Sequence, residues 1–220
     1  MPLFDSLQLF SETTPRGGAD QMALDEALLE TAGVPVLRVY LWDGPAVSFG
    51  YSQSLAEVEA AFPGVPLVRR WTGGGMVEHG RDWTFSLVVP AGEPFVSVRP
   101  AESYRRIHAA MAEALGGSAF LKSGSESAPG GACFQRPVSD DVMESGGNKI
   151  CGGAQRRTRR GFLHQGSVQR CAWPEDMDSR VAGRLAGRVE AFEPGGEVLV
   201  RMKELAAEKY GSPGWARKIA

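Results

Sequence analysis

The 220-residue chain lacks the patterns that mark several large classes of protein. Its cysteines, Cys133, Cys151 and Cys171, include no C-x-x-C pair, which argues against a structural zinc or a dithiol redox site. No apolar run approaches the roughly eighteen residues of a membrane span. The first residues contain neither the basic nor the apolar segment of a secretory signal. We therefore expect a cytoplasmic protein with reduced thiols and no metal site.

The charge of the chain is also unremarkable in total. A formal net charge of −2 provides no overall attraction to nucleic acid or to an anionic membrane. The composition, 43% hydrophobic and 23% charged, is that of a globular protein with one buried core, and it argues against disorder. Residues 156–160 are a local exception, with four arginines in five positions. They form either a solvated turn or an electropositive rim that faces an acidic protein or a phosphate.

The spacing of apolar residues and turn residues predicts an α+β domain. Helices are expected over residues 20–32, 55–62, 101–115, 175–185 and 197–210. Strands over residues 36–42 and 46–50 are separated by Asp-Gly-Pro, and we expect them to form a hairpin. The order of elements indicates a mixed, largely antiparallel sheet flanked by helices.

A glycine-rich loop over residues 71–75, Trp-Thr-Gly-Gly-Gly, leads into predicted strands. A P-loop and a Rossmann turn both require other spacings and open a helix, so neither motif is present. Three consecutive glycines are costly to order, and they indicate either a close approach to the backbone or a flexible hairpin tip. Arg70 precedes the loop, and His79 follows it as a candidate base or as a structural residue.

A second cluster has the residue types that acyl transfer requires. Lys149 is framed by Gly147 and Gly152, and glycine leaves room for a ligand to approach the backbone. The lysine could hold a carboxylate, a phosphate or a developing oxyanion. Cys133 and Cys151 compete as nucleophiles, although a free cysteine is more often a small buried hydrophobe. A nearby lysine would favour the reactive thiolate.

Ordered motifs along the chain resemble the catalytic domain of lipoate–protein ligases and octanoyltransferases. Residues 69–79 are similar to the family's R-R-x-S/T-G-G-x-x-V-x-H stretch, and residues 147–154 to its G-x-K-I-x-G-x-A lysine loop. Residues 164–167 resemble its H-x-G-S/T motif. The resemblance implies an α+β fold related to biotin–protein ligases and class II aminoacyl-tRNA synthetases. Because the chain ends near residue 220, we expect one catalytic domain over residues 1–220 without the accessory C-terminal domain of many ligases, as in a transferase or in a ligase whose accessory domain is a second polypeptide.

The resemblance assigns roles to residues of these motifs. Cys133 and Lys149 are the implied catalytic residues. For His164 there is an alternative interpretation, a structural role as a hydrogen-bond donor within the sheet. The implied substrate-binding residues are Arg70, Thr72, Gly73, Gly74, Gly75, His79, Gly152, Ala154, His164 and Gly166.

The implied activity is attachment of an octanoyl or lipoyl group to one lysine of a lipoyl domain. The expected partners are lipoyl-domain proteins, namely the glycine-cleavage H protein and the E2 subunits of 2-oxoacid dehydrogenases. The resemblance implies no role for nucleic acid or membrane. Within the family, cysteine-type transferases take octanoate from acyl carrier protein without a cofactor. Ligases instead activate free lipoate with ATP and magnesium.

Two features favour the transferase mechanism. Cys133 lies in Ala-Cys-Phe, which resembles the placement of the transferases' catalytic cysteine. Residues 79–86 resemble the transferases' short H-x-x-E-L-T-Y/F-S segment. Gly75 favours the ligase, because cysteine-type transferases usually have arginine there. A non-catalytic family member that binds or scaffolds partners is a third interpretation, and the presence of Lys149 and both glycine-rich segments argues against it.

Overall fold

The structure, a computed structural model, describes residues 2–124 and 137–218 of the chain. Within these ranges no helix is both long enough and apolar enough to span a bilayer. The strands are β1 (Phe4–Ser11), β2 (Val36–Tyr40), β3 (Ala46–Phe49), β4 (Leu67–Arg69), β5 (Val77–His79), β6 (Trp83–Pro90), β7 (Phe120–Leu121), β8 (Val142–Met143), β9 (Lys149–Thr158), β10 (Gly161–Val168) and β11 (Ala186–Ala191). The helices are α1 (Gly18–Thr31), α2 (Leu55–Ala61), α3 (Pro100–Leu115), α4 (Met177–Leu185), α5 (Gly196–Leu205) and α6 (Pro213–Ala216), with a 3₁₀ turn at Pro94–Ser97 and a π-helical turn at Ala206–Tyr210.

Two sheets organise these elements. The large sheet has the strand order β11-β1-β2-β6-β10-β9-β8-β7, and the small sheet has the order β4-β3-β5. Strand β1 pairs in parallel with β2 and β11, and the other pairs of the large sheet are antiparallel. The predicted α+β class with a mixed, largely antiparallel sheet is confirmed, as are the five predicted helices.

The predicted hairpin of β2 and β3 is wrong. Strand β2 lies inside the large sheet between β1 and β6, whereas β3 is the central strand of the small sheet. All five residues of β2 are buried, which requires neighbours on both edges and cover on both faces. The turn at residues 43–45 therefore moves the chain from one sheet to the other.

Helices cover both faces of the large sheet. Helices α3 and α4 pack on one face, where Leu37 and Phe85 belong to a continuous apolar core. Helices α1 and α5 pack on the opposite face with Val36 and Val88. Alternating residues of one strand therefore enter two different cores, since successive side chains of a strand point to opposite faces.

A buried arginine joins β2 to α1. Arg38 is fully buried, and its guanidinium pairs with Asp25 at 2.7 Å and with Glu12 at 2.5 Å. Two carboxylates thus neutralise a cation that would otherwise be very costly to bury. Asp25 also accepts a hydrogen bond of 2.7 Å from Gln165 in β10, so the network extends from α1 to the candidate site.

Candidate active site

A cleft with about 400 Å³ of open space lies where the small sheet faces the large one. Six residues predicted for the site line the cleft: Arg70, Gly74, His79, Gly152, Ala154 and Gly166. The remaining lining residues are Met22, Tyr40, Trp42, Ser48, Val77, Thr84, Gly153, Gln165 and Ser167.

Lys149, at the start of β9, is packed against Gly152, a residue that lines this cleft. Its side chain is 2% exposed, and its Nζ atom is 2.8 Å from Asp141 Oδ2. The chain folds over Gly152, where an added Cβ atom would lie 2.3 Å from Lys149 Cε and 2.4 Å from Nζ. Real Cβ atoms do not come so close, so glycine at 152 leaves the space that the lysine side chain occupies.

Asp141 is itself held from several sides. Its Oδ1 atom accepts a hydrogen bond of 2.7 Å from the Tyr104 hydroxyl, and Oδ2 accepts one of 2.7 Å from the Val138 amide. The Gly153 amide donates to the Tyr104 hydroxyl at 3.2 Å. A carboxylate bound by this many donors has little freedom to move, so it fixes the position of the Lys149 ammonium.

The glycine-rich loop is shaped by Arg70. One guanidinium nitrogen, Nη2, donates to the carbonyls of Gly73 at 3.0 Å and Gly75 at 2.8 Å. The Gly74 carbonyl faces Gly50, where an added Cβ atom would lie only 2.0 Å away. All three carbonyls therefore face the protein. In the described ranges, no backbone hydrogen bond outside helices and strands uses an amide of residues 73–75.

Arg70 belongs to a chain of polar side chains on the wall of the cleft. Its Nη1 atom donates to Ser48 Oγ at 2.7 Å, and Ser48 Oγ is 2.6 Å from His79 Nε2. His79 Nδ1 is 2.8 Å from Asp82 Oδ2. Asp82 Oδ2 also accepts a hydrogen bond of 2.7 Å from Ser167 Oγ. This chain ties the glycine-rich loop to β3, β5 and β10.

Electrostatics assigns the proton positions in this chain. Burial lowers the pKa of His79, and it outweighs the opposite influence of Asp82. Burial acts to raise the pKa of Asp82, but hydrogen bonding, first of all from His79, keeps it below its ordinary value. A carboxylate only accepts, so neutral His79 donates from Nδ1 to Asp82 and accepts at Nε2 from Ser48. The ring also stacks on Trp42 with centroids 4.0 Å apart.

Thr72 does not line the cleft but anchors the loop that does. Its hydroxyl donates to Gln165 Oε1 at 2.7 Å, and the Gln165 amide donates to Asp25 Oδ2 at 2.7 Å. Both residues are buried. The predicted residues Thr72, Gly73 and Gly75 thus shape the loop from behind, whereas Gly74 faces the cleft.

His164 lies outside the cleft, on the sheet face covered by α3. It is fully buried and contacts the rings of Tyr104 and His108, with centroid distances of 5.6 and 5.3 Å. Burial lowers its pKa well below the ordinary value. Its Nδ1 atom is 3.2 Å from the Gln155 amide. Among the described residues, its Nε2 atom has no hydrogen-bond partner.

Cys133 and Cys151 are the two candidate nucleophiles. Cys133 lies outside the described residues. Cys151 is fully buried within the apolar core on the α3 face and is absent from the lining of the cleft. Within residues 2–124 and 137–218, no three side chains of histidine, cysteine, aspartate or glutamate converge to form a metal site.

Several residues of the site are missed by sequence reasoning. Asp82 and Gln165 lie inside motifs described above, but the site roles in those motifs were predicted for neighbouring residues. Ser48 and Asp141 carried no signal, because their roles depend on contacts across 31 positions with His79 and across the β8–β9 turn with Lys149.

Solved structures share this architecture. Protein Ta0514 from T. acidophilum, solved with bound lipoic acid, superposes with a TM-score of 0.76 at 20% identity, over 97% of this chain and 99% of that one. Lipoate-protein ligase A bound with ATP superposes with a TM-score of 0.70 at 20% identity, over 99% of this chain and 100% of that one. The fold is therefore that of a lipoate-protein ligase.

Sequence comparison identifies the family. Residues 18–184 match the lipoyl protein ligase A/B catalytic domain. The chain is 35% identical to octanoyltransferase LipM of Symbiobacterium thermophilum over 93% of this chain and 80% of that protein. It is 36% identical to octanoyltransferase LipM of Carboxydothermus hydrogenoformans over 69% of this chain, and the match spans 60% of that relative's length. The chain belongs to the lipoyl protein ligase A/B catalytic domain family.

Proposed function

We propose that this protein transfers an octanoyl group from a carrier thioester to one lysine of a lipoyl domain. The observation that carries the proposal is the buried Lys149–Asp141 pair packed against Gly152, which lines a partly apolar cleft. The relatives described above are named as octanoyltransferases. A scaffold subunit would need neither the fixed lysine nor the close backbone approach at Gly152.

In the first half-reaction, the Cys133 thiolate attacks the carbonyl carbon of the donor thioester. The C=O electrons move to oxygen, and collapse of the tetrahedral intermediate expels the carrier thiolate, which takes up a proton. Octanoyl-Cys133 remains. Lys149 and the amides of residues 73–75 stabilise the oxyanion, and a donor of this kind contributes roughly 3 kcal/mol in known cases.

In the second half-reaction, the neutral amine of the acceptor lysine attacks the acyl-Cys133 carbonyl. The same oxyanion donors act again, the cysteine thiolate leaves, and the amine loses its proton as the amide forms. Two thiol-ester steps replace one direct transfer, which is the usual advantage of a covalent intermediate. The neutral His79 beside Asp82 positions Arg70 and the loop in this scheme and is not required to accept a proton.

The position of Cys133 along the chain supports its role. It lies five residues before Val138, whose amide donates to Asp141, the carboxylate that holds Lys149. Five residues span at most roughly 18 Å, so the proposed role of Cys133 as the nucleophile is compatible with a site at Lys149. A reactive thiol must stay reduced, which favours the cytoplasm as the location.

The apolar side of the cleft suits the acyl tail. Met22, Trp42 and Val77 line it, and none carries a charge. An eight-carbon chain gains free energy from leaving water at about 0.8 kcal/mol per buried CH₂ group. The polar chain from Arg70 to Asp82 occupies another part of the wall and stays internally satisfied, so it does not oppose burial of the tail.

One assay tests the proposal. The protein is incubated with octanoyl-acyl carrier protein and an unmodified lipoyl domain in the absence of ATP, and the domain is weighed by mass spectrometry. We expect the mass to rise by one octanoyl group. No gain without ATP, together with a gain from free lipoate, ATP and magnesium, would contradict the transferase and establish the ligase alternative that Gly75 favours.

A further inference from the structure

A cluster of cations and aromatic rings lies beside the cleft and is not used by the proposed chemistry. Lys209 Nζ is 4.2 Å from the ring centroid of Trp71 and 4.6 Å from that of Trp215. The Arg156 guanidinium lies 5.1 Å from the ring centroid of Tyr51 and 5.5 Å from that of Trp71. We call this cluster the cation–aromatic rim, and its members are Tyr51, Trp71, Arg156, Lys209, Trp215 and Lys218.

The rim is directly adjacent to the cleft. Arg156 is two positions beyond Ala154 on β9, and Ala154 lines the cleft, so both side chains lie on the same face of the strand. Trp71 is the first residue of the glycine-rich loop. Exposure also increases along β9, from buried Gly152 to half-buried Arg156. The rim therefore borders the outer end of the cleft.

The arginine run 156–160 does not act as one patch. Arg157 lies over Phe162 on the opposite side and donates to the Val96 carbonyl at 2.7 Å. Arg160 is 3.4 Å from Glu30. Of the run, only Arg156 belongs to the rim as defined above. The predicted electropositive rim is thus built from Arg156 together with distant parts of the chain.

The rim carries a local excess of positive charge. Lys209 pairs with Glu26 at 2.5 Å. In the part of the chain that the structure describes, no carboxylate pairs with Arg156 or Lys218. The Arg156 Nε atom is buried without a hydrogen-bond partner there. Half-buried Trp, Tyr and Arg side chains are the types enriched at the energetic centres of protein interfaces.

We propose that the cation–aromatic rim is the docking surface for the acceptor protein and selects a target lysine flanked by carboxylates. This inference rests on the proposed transfer to a protein lysine. A lysine with basic or neutral neighbours is itself cationic and is repelled by the rim. A lysine flanked by carboxylates lies in a surface that is negative overall, and the positive rim attracts that surface. The rim therefore increases both the affinity for the acceptor and the selectivity among acceptors.

The position of the rim at the border of the cleft favours docking of the acceptor protein and not of the acyl donor. The target amine is carried on the short aliphatic stem of a lysine, so the acceptor surface must lie against the border of the cleft. A thioester donor delivers its carbonyl on a longer flexible arm and does not need a contact at this border. The rim begins at Trp71, the first residue of the glycine-rich loop, and at Arg156, two residues beyond Ala154 in the lining of the cleft.

The test uses Arg156→Gln, Lys218→Gln and the double variant, with Arg159→Gln as the matched control from the same arginine run. Binding of the unmodified lipoyl domain is measured by calorimetry at low and high ionic strength, without any turnover. We expect the double variant to weaken binding by roughly fivefold or more at low salt, with a smaller salt dependence. Arg159→Gln should bind normally.

Kinetics then separates the acceptor from the donor. The double variant should raise KM for the lipoyl domain and leave the rate of self-acylation by octanoyl-acyl carrier protein unchanged. Neutralising the carboxylates beside the target lysine should have little further effect in Arg156→Gln, as a double-mutant cycle would show. Unchanged lipoyl-domain binding would overturn the proposal, as would a defect confined to the acyl donor. Because binding is measured without turnover, failure of the proposed activity would be recognised separately.

Discussion

Lys149 Nζ lies 2.8 Å from Asp141 Oδ2, and both side chains are removed from water. The pair connects β9 to the segment before β8 and packs the ammonium against Gly152, which lines the cleft. An ammonium held in this way is already oriented before substrate arrives. Such preorganised charge is worth more than a mobile lysine, since no free energy is spent on reorientation during the reaction.

Asp141→Asn should lower octanoyl transfer by about 10²-fold, because it leaves Lys149 without its anchor and misplaces the ammonium. The measurement is the single-turnover rate with octanoyl-acyl carrier protein. Asp140→Asn is the control. Asp140 has φ 66°, a conformation that asparagine tolerates well, and it forms hydrogen bonds with Ser139 and His108. Equal rates for the two variants would contradict the anchoring role.

Gly152→Ala should abolish most of the transfer, since the new methyl group takes the space of Lys149 Cε and Nζ. Gly183→Ala makes the same chemical change in α4, where an added Cβ atom meets nothing within 4 Å. The control should keep full activity and gain about 0.5–1 kcal/mol of stability. Transfer rates and urea unfolding midpoints of both variants provide the check, and normal activity in Gly152→Ala would refute the proposed close approach.

Stability should decline as the pH falls from 7 to 5. Burial lowers the pKa of His108 to about 3 and lowers those of His79 and His164. Below pH 6.5 the unfolded chain takes up more protons at these rings than the folded protein does, so unfolding becomes easier. Each histidine contributes up to about 1.4 kcal/mol per pH unit in this window.

Urea unfolding at a series of pH values measures this dependence. His108→Gln should reduce the slope, because one depressed group is removed while an amide can still donate to the Asp140 carbonyl. A free energy of unfolding that stays constant between pH 7 and 5 would show that the buried rings are charged or hydrated in solution.

Arg70→Lys should reduce transfer at least tenfold. A lysine cannot bridge Ser48 Oγ and the carbonyls of Gly73 and Gly75 at once, so the glycine-rich loop loses its shape. Leaving a buried carbonyl without a donor costs about 1–3 kcal/mol. Arg105→Lys, at an exposed pair with Glu102, controls for the substitution itself. Transfer by Arg70→Lys at the control's rate would argue that the loop is held by other contacts.

Local patterns predicted much of the helical structure but not all strands. Buried side chains in β1 recur every three residues, at Phe4, Leu7 and Phe10, so the strand shows no alternation to detect. It forms because β2 and β11 pair with both of its edges. The hairpin prediction failed for a related reason, since the partners of β2 are set by long-range pairing.

The site shows the same division. Motifs located Lys149, Arg70 and the glycine-rich loop, because those residue types at those spacings have a chemical meaning by themselves. Asp141 and Ser48 act only through contacts that the folded chain creates. His164 belonged to a motif, yet its side chain lies on the opposite face of β10 from Gln165, since adjacent residues of a strand alternate.

The proposed octanoyl transfer depends on a covalent octanoyl-Cys133 intermediate formed beside Lys149. The most direct measurement is the intact mass of the protein after brief exposure to octanoyl-acyl carrier protein without ATP or acceptor, followed by peptide mapping. We expect a gain of one octanoyl group on the peptide that contains Cys133, and no gain in Cys133→Ala. An unmodified wild-type protein under conditions that support transfer, or an octanoyl group on Cys151, would contradict it.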